Sequence, residues 1–274
     1  MTGPVLSVDD LHISDPRSGT ELVRGVSFDV PAGGALGIVG ESGSGKTLTC
    51  RTALGILPAP LRVTRGTVTL LGEDTAGLTE RGWRELRGRE IGAVFQDPGA
   101  FLNPSLRIGS QVAEVLRVGK RLGRRAAKAE ALRLLDAVHL RDPERVYRQY
   151  PHELSGGMLQ RVVIAAAIAL DPQVLIADEA TTALDVTVQA EILDLLADLQ
   201  ERTGLALVVV SHDLAVVAQL CTEVVVLRRG EVVERGATDA VLHAPQHPYT
   251  RLLVDEHNRY GLDRYLAPEL EHAG

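Results

Sequence analysis

Residues 37–50 read GIVGESGSGKTLTC, and this stretch decides the fold. Gly40, Gly43 and Gly45, two serines and Lys46 stand between an apolar run and a helical pattern. A turn alone does not need so much backbone freedom, and a lysine fits poorly at a helix start, where the peptide dipoles favour negative charge. The spacing of Gly40, Gly45, Lys46 and Thr47, with a buried strand before it and a helix after it, is that of a phosphate loop. Glycines let successive N–H groups converge on phosphate oxygens, and the helix N-terminus adds partial positive charge. The loop of Gly40, Glu41, Ser42, Gly43, Ser44, Gly45, Lys46 and Thr47 is therefore expected to hold a nucleoside triphosphate. Lys46 would reach the β- and γ-phosphates, and the Thr47 hydroxyl would ligate Mg²⁺.

Outward from the loop, short β-type runs recur on both sides: VLSVDDLHI, GVSFDV, GALGIVG, GTVTLLG, EIGAVFQ, QVLIAD, ALVVVS and EVVVLRRG. The first and GTVTLLG alternate, as half-exposed strands do, whereas ALGIV, VLIA and LALVVV are continuously apolar, as strands buried on both faces are. Helical patterns lie between them, the clearest being TVQAEILDLLADLQERTG, which stops at Gly204 after a basic residue. Strands alternating with helices predict an α/β fold with a mostly parallel sheet. From about Asp97 to Leu170 no strand pattern is found, and segments such as RRAAKAEALRLLDAVHL predict an inserted helical lobe. A single domain follows, with its core at about 5–97 and 171–236, the helical part at about 98–170 and a short helical tail at about 237–274. Arg121, Arg124, Arg125 and Lys128 read as a solvated helix face.

Two further segments carry chemistry. VLIADE is an apolar strand ending in two carboxylates. Asp178 is suited to hold Mg²⁺, directly or through water, and because neighbours on extended chain point apart, Glu179 can face the attacking water. ELSGGMLQRVVIAAAIAL places Ser155, Gly156 and Gly157 ahead of a long apolar helix, a second helix N-terminus fit for an anion.

Composition narrows the partners. A net charge of −7 over 274 residues argues against nucleic acid or anionic lipid as the main attractant. The longest apolar run, VVIAAAIAL, has nine residues and is too short to span a bilayer. No basic-then-apolar leader is visible at the N-terminus, and the isolated Cys50 and Cys221 match no metal spacing. A reducing cytosol is the expected setting.

Together these segments resemble the ATP-binding cassette (ABC) ATPases over nearly the whole chain. GESGSGKT is similar to the Walker A loop, VLIADE to Walker B and LSGGMLQR to the ABC signature, the most specific of the three. VFQDP with Gln96 is similar to the Q-loop, TALD with Asp185 to the D-loop, and VSHD with His212 to the switch histidine. The resemblance implies a P-loop NTPase core with an antiparallel β region near the N-terminus and a helical subdomain. ATP and Mg²⁺ are the implied ligands, with Thr47, Gln96 and Asp178 near the metal and Lys46, Glu179 and His212 as the catalytic residues. It also implies a head-to-tail pair of ATPases, identical or different, in which Ser155, Gly156 and Gly157 cover the partner's nucleotide and Asp185 lies at the dimer contact.

VFQDPGAFLNP, YPHELSGGMLQR, TTALDVTVQAEIL and APQHPYTRLL resemble the ATPases of peptide, nickel and opine importers. The implied partners are two membrane permeases and an extracytoplasmic solute-binding protein, with the ATPase on the cytoplasmic face of the membrane. Peptides are the expected cargo, and nickel or metal-chelate and opine uptake the alternative. Soluble ABC proteins usually carry tandem cassettes, coiled-coil insertions or zinc cysteines, none of which is visible here. Three departures stand out. Asp15 lies where an adenine-stacking aromatic is expected, leaving Arg17 as a candidate for the base; Ala180 replaces a usual proline; and the two isolated cysteines cannot build the iron–sulfur cluster of a longer C-terminal extension, the expected short tail leaning toward the nickel-type members.

Overall fold

The computed structural model describes residues 3–182 and 184–260. The last part of the expected tail, 261–274, and Ala183 of the TALD segment lie outside the described residues. Among the described residues, ten strands form two sheets. One is antiparallel, in the order β2-β1-β4-β5, from β1 (Leu6–Asp15), β2 (Thr20–Val30), β4 (Arg62–Leu70) and β5 (Glu73–Asp74). The other contains β3 (Ala35–Val39), β6 (Ile91–Phe95), β7 (Val174–Asp178), β8 (Ala206–Ser211), β9 (Glu223–Arg228) and β10 (Glu231–Ala237), ordered β10-β9-β3-β8-β7-β6. Its strands pair in parallel except β10, which turns back on β9 as an antiparallel edge.

The continuous apolar runs have a direct cause. In β8, Ala206, Val208 and Val210 enter one core while Leu207 and Val209 enter the other; in β7, Val174 and Ile176 oppose Leu175 and Ala177 in the same way. Each strand thus feeds two hydrophobic layers, and a residue of either parity must be apolar. One layer lies against the antiparallel sheet, through Leu6, Val8, Leu11, Ile13, Val26 and Phe28. The other lies against helices.

Strand β1 alternates as its sequence predicts, but the parity changes part-way. Leu6 and Val8 are buried, then Leu11 and Ile13. The register slips between Val8 and Leu11, where Asp10 adopts φ 47°, so a bulge re-aims the second half of the strand to the same core.

Helix α1 (Lys46–Ala53) follows the phosphate loop, and α2 (Glu80–Leu86) precedes β6. No strand lies between Phe95 and Val174; that stretch carries α3 (Ile108–Gly119), α4 (Arg124–Ala137), α5 (Pro143–Arg148) and α6 (Gly156–Ala167). Ile108, Val112 and Leu116 of α3 meet Ala127, Ala131, Leu134 and Leu135 of α4 in one buried cluster. Arg124, Arg125 and Lys128 are exposed, a solvated face as expected. Helix α7 (Val186–Thr203) ends on Gly204 in the left-handed region, φ 70°. Arg161 of α6 ties these layers: its guanidinium donates to Val138 O at 3.0 Å and to Glu191 Oε2 on α7 at 2.8 Å. Helix α8 (Leu214–Leu220) follows β8, and α9 (Thr238–His243) and α10 (Pro248–Tyr260) follow β10.

Candidate nucleotide site

The phosphate loop runs from the end of β3 into α1 with its backbone tightly held. A Cβ on Gly40 (φ 150°) would stand 2.1 Å from Leu227 O, so no other residue fits where the loop leaves the sheet beside β9. Gly45, at φ 103°, turns the chain into α1 from the left-handed region. The loop is closed by its own lysine. Lys46 Nζ donates to Gly40 O at 2.7 Å and to Glu41 O at 3.0 Å. Burial lowers its pKa, against the pull of the nearby Glu179 and Asp178 carboxylates. Ser44 Oγ is buried without a hydrogen-bond partner, an orphaned donor inside the cradle.

Asp178, the last residue of β7, is 5% exposed and accepts from Thr47 Oγ1 at 3.3 Å. Burial raises its pKa above the ordinary 3.8, opposed first by the Thr47 hydroxyl and then by the cations Arg51 and Lys46, while Glu179 pushes it further up. Glu179 is not on extended chain. It adopts φ 52° while its N–H still reaches Val210 O at 2.9 Å. Strand alternation therefore does not separate the two acids, as the sequence suggests it would. A left-handed turn does, at a conformation that costs a non-glycine residue of order 1–3 kcal/mol and clusters at functional sites. Glu179 Oε1 then lies 3.7 Å from His212 Nδ1, just beyond β8.

Ser42, Thr47, Gln96, Asp178 and Glu179 line one cleft of about 540 Å³ at the carboxyl ends of β3, β6 and β7. This is where open α/β sheets hold their ligands. Arg51, Asp97 and Phe101 line it too, and the sequence reading passed over them. Arg51 had a readable signal: it falls one helical turn after Thr47 and so shares its face.

Ser155, Gly156 and Gly157 do not line this cleft. Ser155 caps α6, its Oγ accepting from Met158 N at 3.3 Å, and is exposed. Gly157 has a local reason: a Cβ there would meet Val188 Cγ1 on α7 at 2.4 Å. Asp185 caps α7 by accepting from Val188 N at 3.0 Å, beside the exposed Val186. Asp15 ends β1, and its carboxylate accepts from Arg17 N at 2.8 Å, so it closes the β1–β2 hairpin. Ala180 is buried in the helical-side core.

The family model for ABC transporters matches residues 23–182. The chain belongs to the ABC transporter family. As a cassette of that family it binds nucleotide and hydrolyses ATP. It is 45% identical over 249 residues to the oligopeptide transport ATP-binding protein OppD of Bacillus subtilis, covering 90% of this chain and 70% of that one. It is 44% identical over 273 residues to the probable D,D-dipeptide transport ATP-binding protein DdpD of Escherichia coli, covering 98% and 83%. Among solved structures, cbiO1 of Clostridium perfringens, described as part of an ABC transporter complex, superposes with a TM-score of 0.76 at 26% identity over 92% of this chain and 99% of that one. A dimeric post-hydrolysis state of the cassette MJ0796, bound to ADP and Pi, superposes at 0.73 and 30% identity, covering 85% and 98%. No described helix of this cassette is long and apolar enough to cross a membrane.

Proposed function

We propose that this cassette is the ATP-hydrolysing subunit of a peptide importer. What supports the reading is the cleft lined by Thr47, Gln96, Asp178 and Glu179, with His212 Nδ1 3.7 Å from Glu179 and Lys46 Nζ on the phosphate-loop carbonyls, in a chain whose relatives are named for oligopeptide and dipeptide transport. The peptide names favour peptides over nickel or opines.

The donor set fits magnesium and phosphate. Thr47 Oγ1 and the carboxylate of Asp178 already face each other, and the unpartnered Ser44 Oγ waits inside the loop. Thr47 and Gln96 would hold the metal, with Asp178 behind them; when bound, Mg²⁺ would neutralise charge developing on the β- and γ-phosphates. Lys46 leaves the carbonyls of Gly40 and Glu41 and takes the phosphate oxygens. Glu179 orients the attacking water and accepts its proton, and His212 beside it hydrogen-bonds the γ-phosphate. Phosphoryl transfer of this kind depends mainly on positioning and electrostatics.

A second ATPase supplies the missing part of the site. The exposed Ser155 and Gly156 cap would close over the partner's γ-phosphate, with Asp185 and Val186 at the contact. The permeases would dock on the helical lobe, residues 98–170. A groove of about 640 Å³ lies there, lined by Phe101, Leu106, Val115 and Val118, three of which are largely exposed apolar side chains. Such a patch marks an interaction site. The cassette then works as a peripheral protein on the cytoplasmic face of the membrane, fed by an extracytoplasmic peptide-binding protein.

The test is uptake of labelled peptide by cells or proteoliposomes holding the cassette with its two co-purifying permeases. Uptake should need ATP and stop with Glu179→Gln; peptide uptake that continues in that variant would overturn the reading.

A further inference from the structure

Helix α10 touches the site at two places that the nucleotide chemistry does not use. At its first turn Tyr249, 4% exposed, accepts a hydrogen bond at its Oη from the Glu41 N–H of the phosphate loop, 2.8 Å away. Two turns further on, His257 Nδ1 stands 3.5 Å from Asp213 Oδ1. Asp213 follows His212 and caps α8, the same oxygen accepting from Ala215 N at 2.9 Å. Eight residues of helix separate the two contacts, about 12 Å along the axis. One rigid element therefore spans from the phosphate loop to the segment that carries His212.

The near end of α10 is itself fixed. Glu234 of β10 accepts from the N–H groups of Gln246 and His247 at 2.7 and 3.0 Å. Arg251 folds back to donate to Pro245 O and Gln246 O, each at 3.0 Å. The Tyr249 ring packs under the Arg228 guanidinium, 4.6 Å from its centroid, at the end of β9. The phenol is thus aimed at the loop by a sheet, a helix cap and a cation.

Its partner is the peptide that must change its bonding when nucleotide arrives. In the structure Lys46 Nζ holds the carbonyls of Gly40 and Glu41. A lysine that turns to phosphate releases both. Glu41 then keeps the Ser44 N–H on its carbonyl, at 3.2 Å, and Tyr249 Oη on its own N–H. The tyrosine bond therefore matters more with nucleotide bound than without.

We propose that Tyr249 is a positioning residue of the phosphate loop, and that α10, anchored at its far end by His257 on Asp213, links the loop to the His212 segment. The proposal rests on the nucleotide reading of the cleft. The full-length chain is titrated with a non-hydrolysable ATP analogue and magnesium, as wild type and as Tyr249→Phe, which keeps the ring and removes only the hydroxyl. Wild-type binding confirms the reading on which the proposal rests. Tyr249→Phe should then bind about threefold to tenfold more weakly, the effect of one lost hydrogen bond. In the assembled transporter its KM for ATP should rise by the same factor, with kcat within about twofold. Unchanged affinity with only a lower melting temperature makes Tyr249 a packing residue and overturns the proposal; so does a fall in kcat at constant KM. For the far end, His257→Ala should speed amide exchange across residues 40–47 of the nucleotide-bound chain, and undiminished protection there removes the link.

Discussion

His212 Nδ1 lies 3.7 Å from Glu179 Oε1, and Glu179 reaches it from a left-handed backbone. The strained residue and the histidine come from the ends of adjacent parallel strands, β7 and β8, so the sheet fixes their separation. Glu179→Gln keeps the shape and removes the base. Turnover should fall about 10²–10⁴-fold, the usual share of a positioned general base, while nucleotide affinity stays within about twofold. Held with ATP, magnesium and its partner ATPase, the variant should accumulate as a dimer. Scattering or crosslinking that finds only single subunits there would refute the composite site.

Lys46→Ala is expected to act on binding itself. It removes a charge-assisted contact worth about 1.5–3 kcal/mol, or about 10–100-fold in affinity. It also frees the carbonyls of Gly40 and Glu41, which Lys46 ties at 2.7 and 3.0 Å. Calorimetric titration with ADP and magnesium reads the loss directly. An unchanged dissociation constant would mean that the lysine serves only to close its own loop.

How much of this could be read from the chain depends on range. The phosphate loop, VLIADE and the signature were legible because each is a few consecutive residues whose types the chemistry dictates. The two-layer core was legible in ALVVV and VLIA because strands buried on both faces leave no polar position. The divergence of Asp178 and Glu179 was anticipated for the wrong reason, since a left-handed residue is invisible in a pattern that has no glycine. Strand β10 was missed because its exposed edge, EVVERGA, carries charges between its valines. The bond from Glu41 to Tyr249 spans 208 residues, and no local periodicity encodes a contact at that separation. Arg51 was missed although its spacing from Thr47 is local. Asp15 was noted as an absent aromatic; its structural work, capping a hairpin through Arg17 N, is a turn role that Asp commonly takes.

His12 gives a pH-dependent prediction away from the nucleotide. It sits on β1 with Nδ1 2.7 Å from Glu21 Oε1 of β2 and Nε2 3.1 Å from Asp10 Oδ1, and Arg65 of β4 lies on the other Asp10 oxygen at 2.7 Å. The Glu21 hydrogen bond, above all, raises its pKa above 6.5; desolvation, the next largest effect, opposes it, and Asp10 adds to the rise. A raised histidine stabilises the fold fully below its unfolded value and loses that contribution as pH rises through the folded one. His12→Gln should therefore lower the melting temperature more at about pH 5.5 than at about pH 8.5, relative to wild type at each pH. An equal or reversed difference would show that the imidazolium contributes nothing.

Gly157 can be separated into its two roles by a paired substitution. A Cβ there would stand 2.4 Å from Val188 Cγ1, so Gly157→Ala forces α6 away from α7. Overpacking of this kind costs about 1–3 kcal/mol, several degrees of melting temperature in a chain of this size. Val188→Ala opens the space, and the double variant should melt close to Val188→Ala alone. Its turnover is the informative number. If Gly157 also lets the partner's γ-phosphate approach the Ser155 cap, the added methyl still stands in the composite site, and ATPase activity of the assembled pair stays low while stability returns. Recovery of both would assign Gly157 to helix packing alone and leave Ser155 and Gly156 as the surface that covers the partner's nucleotide.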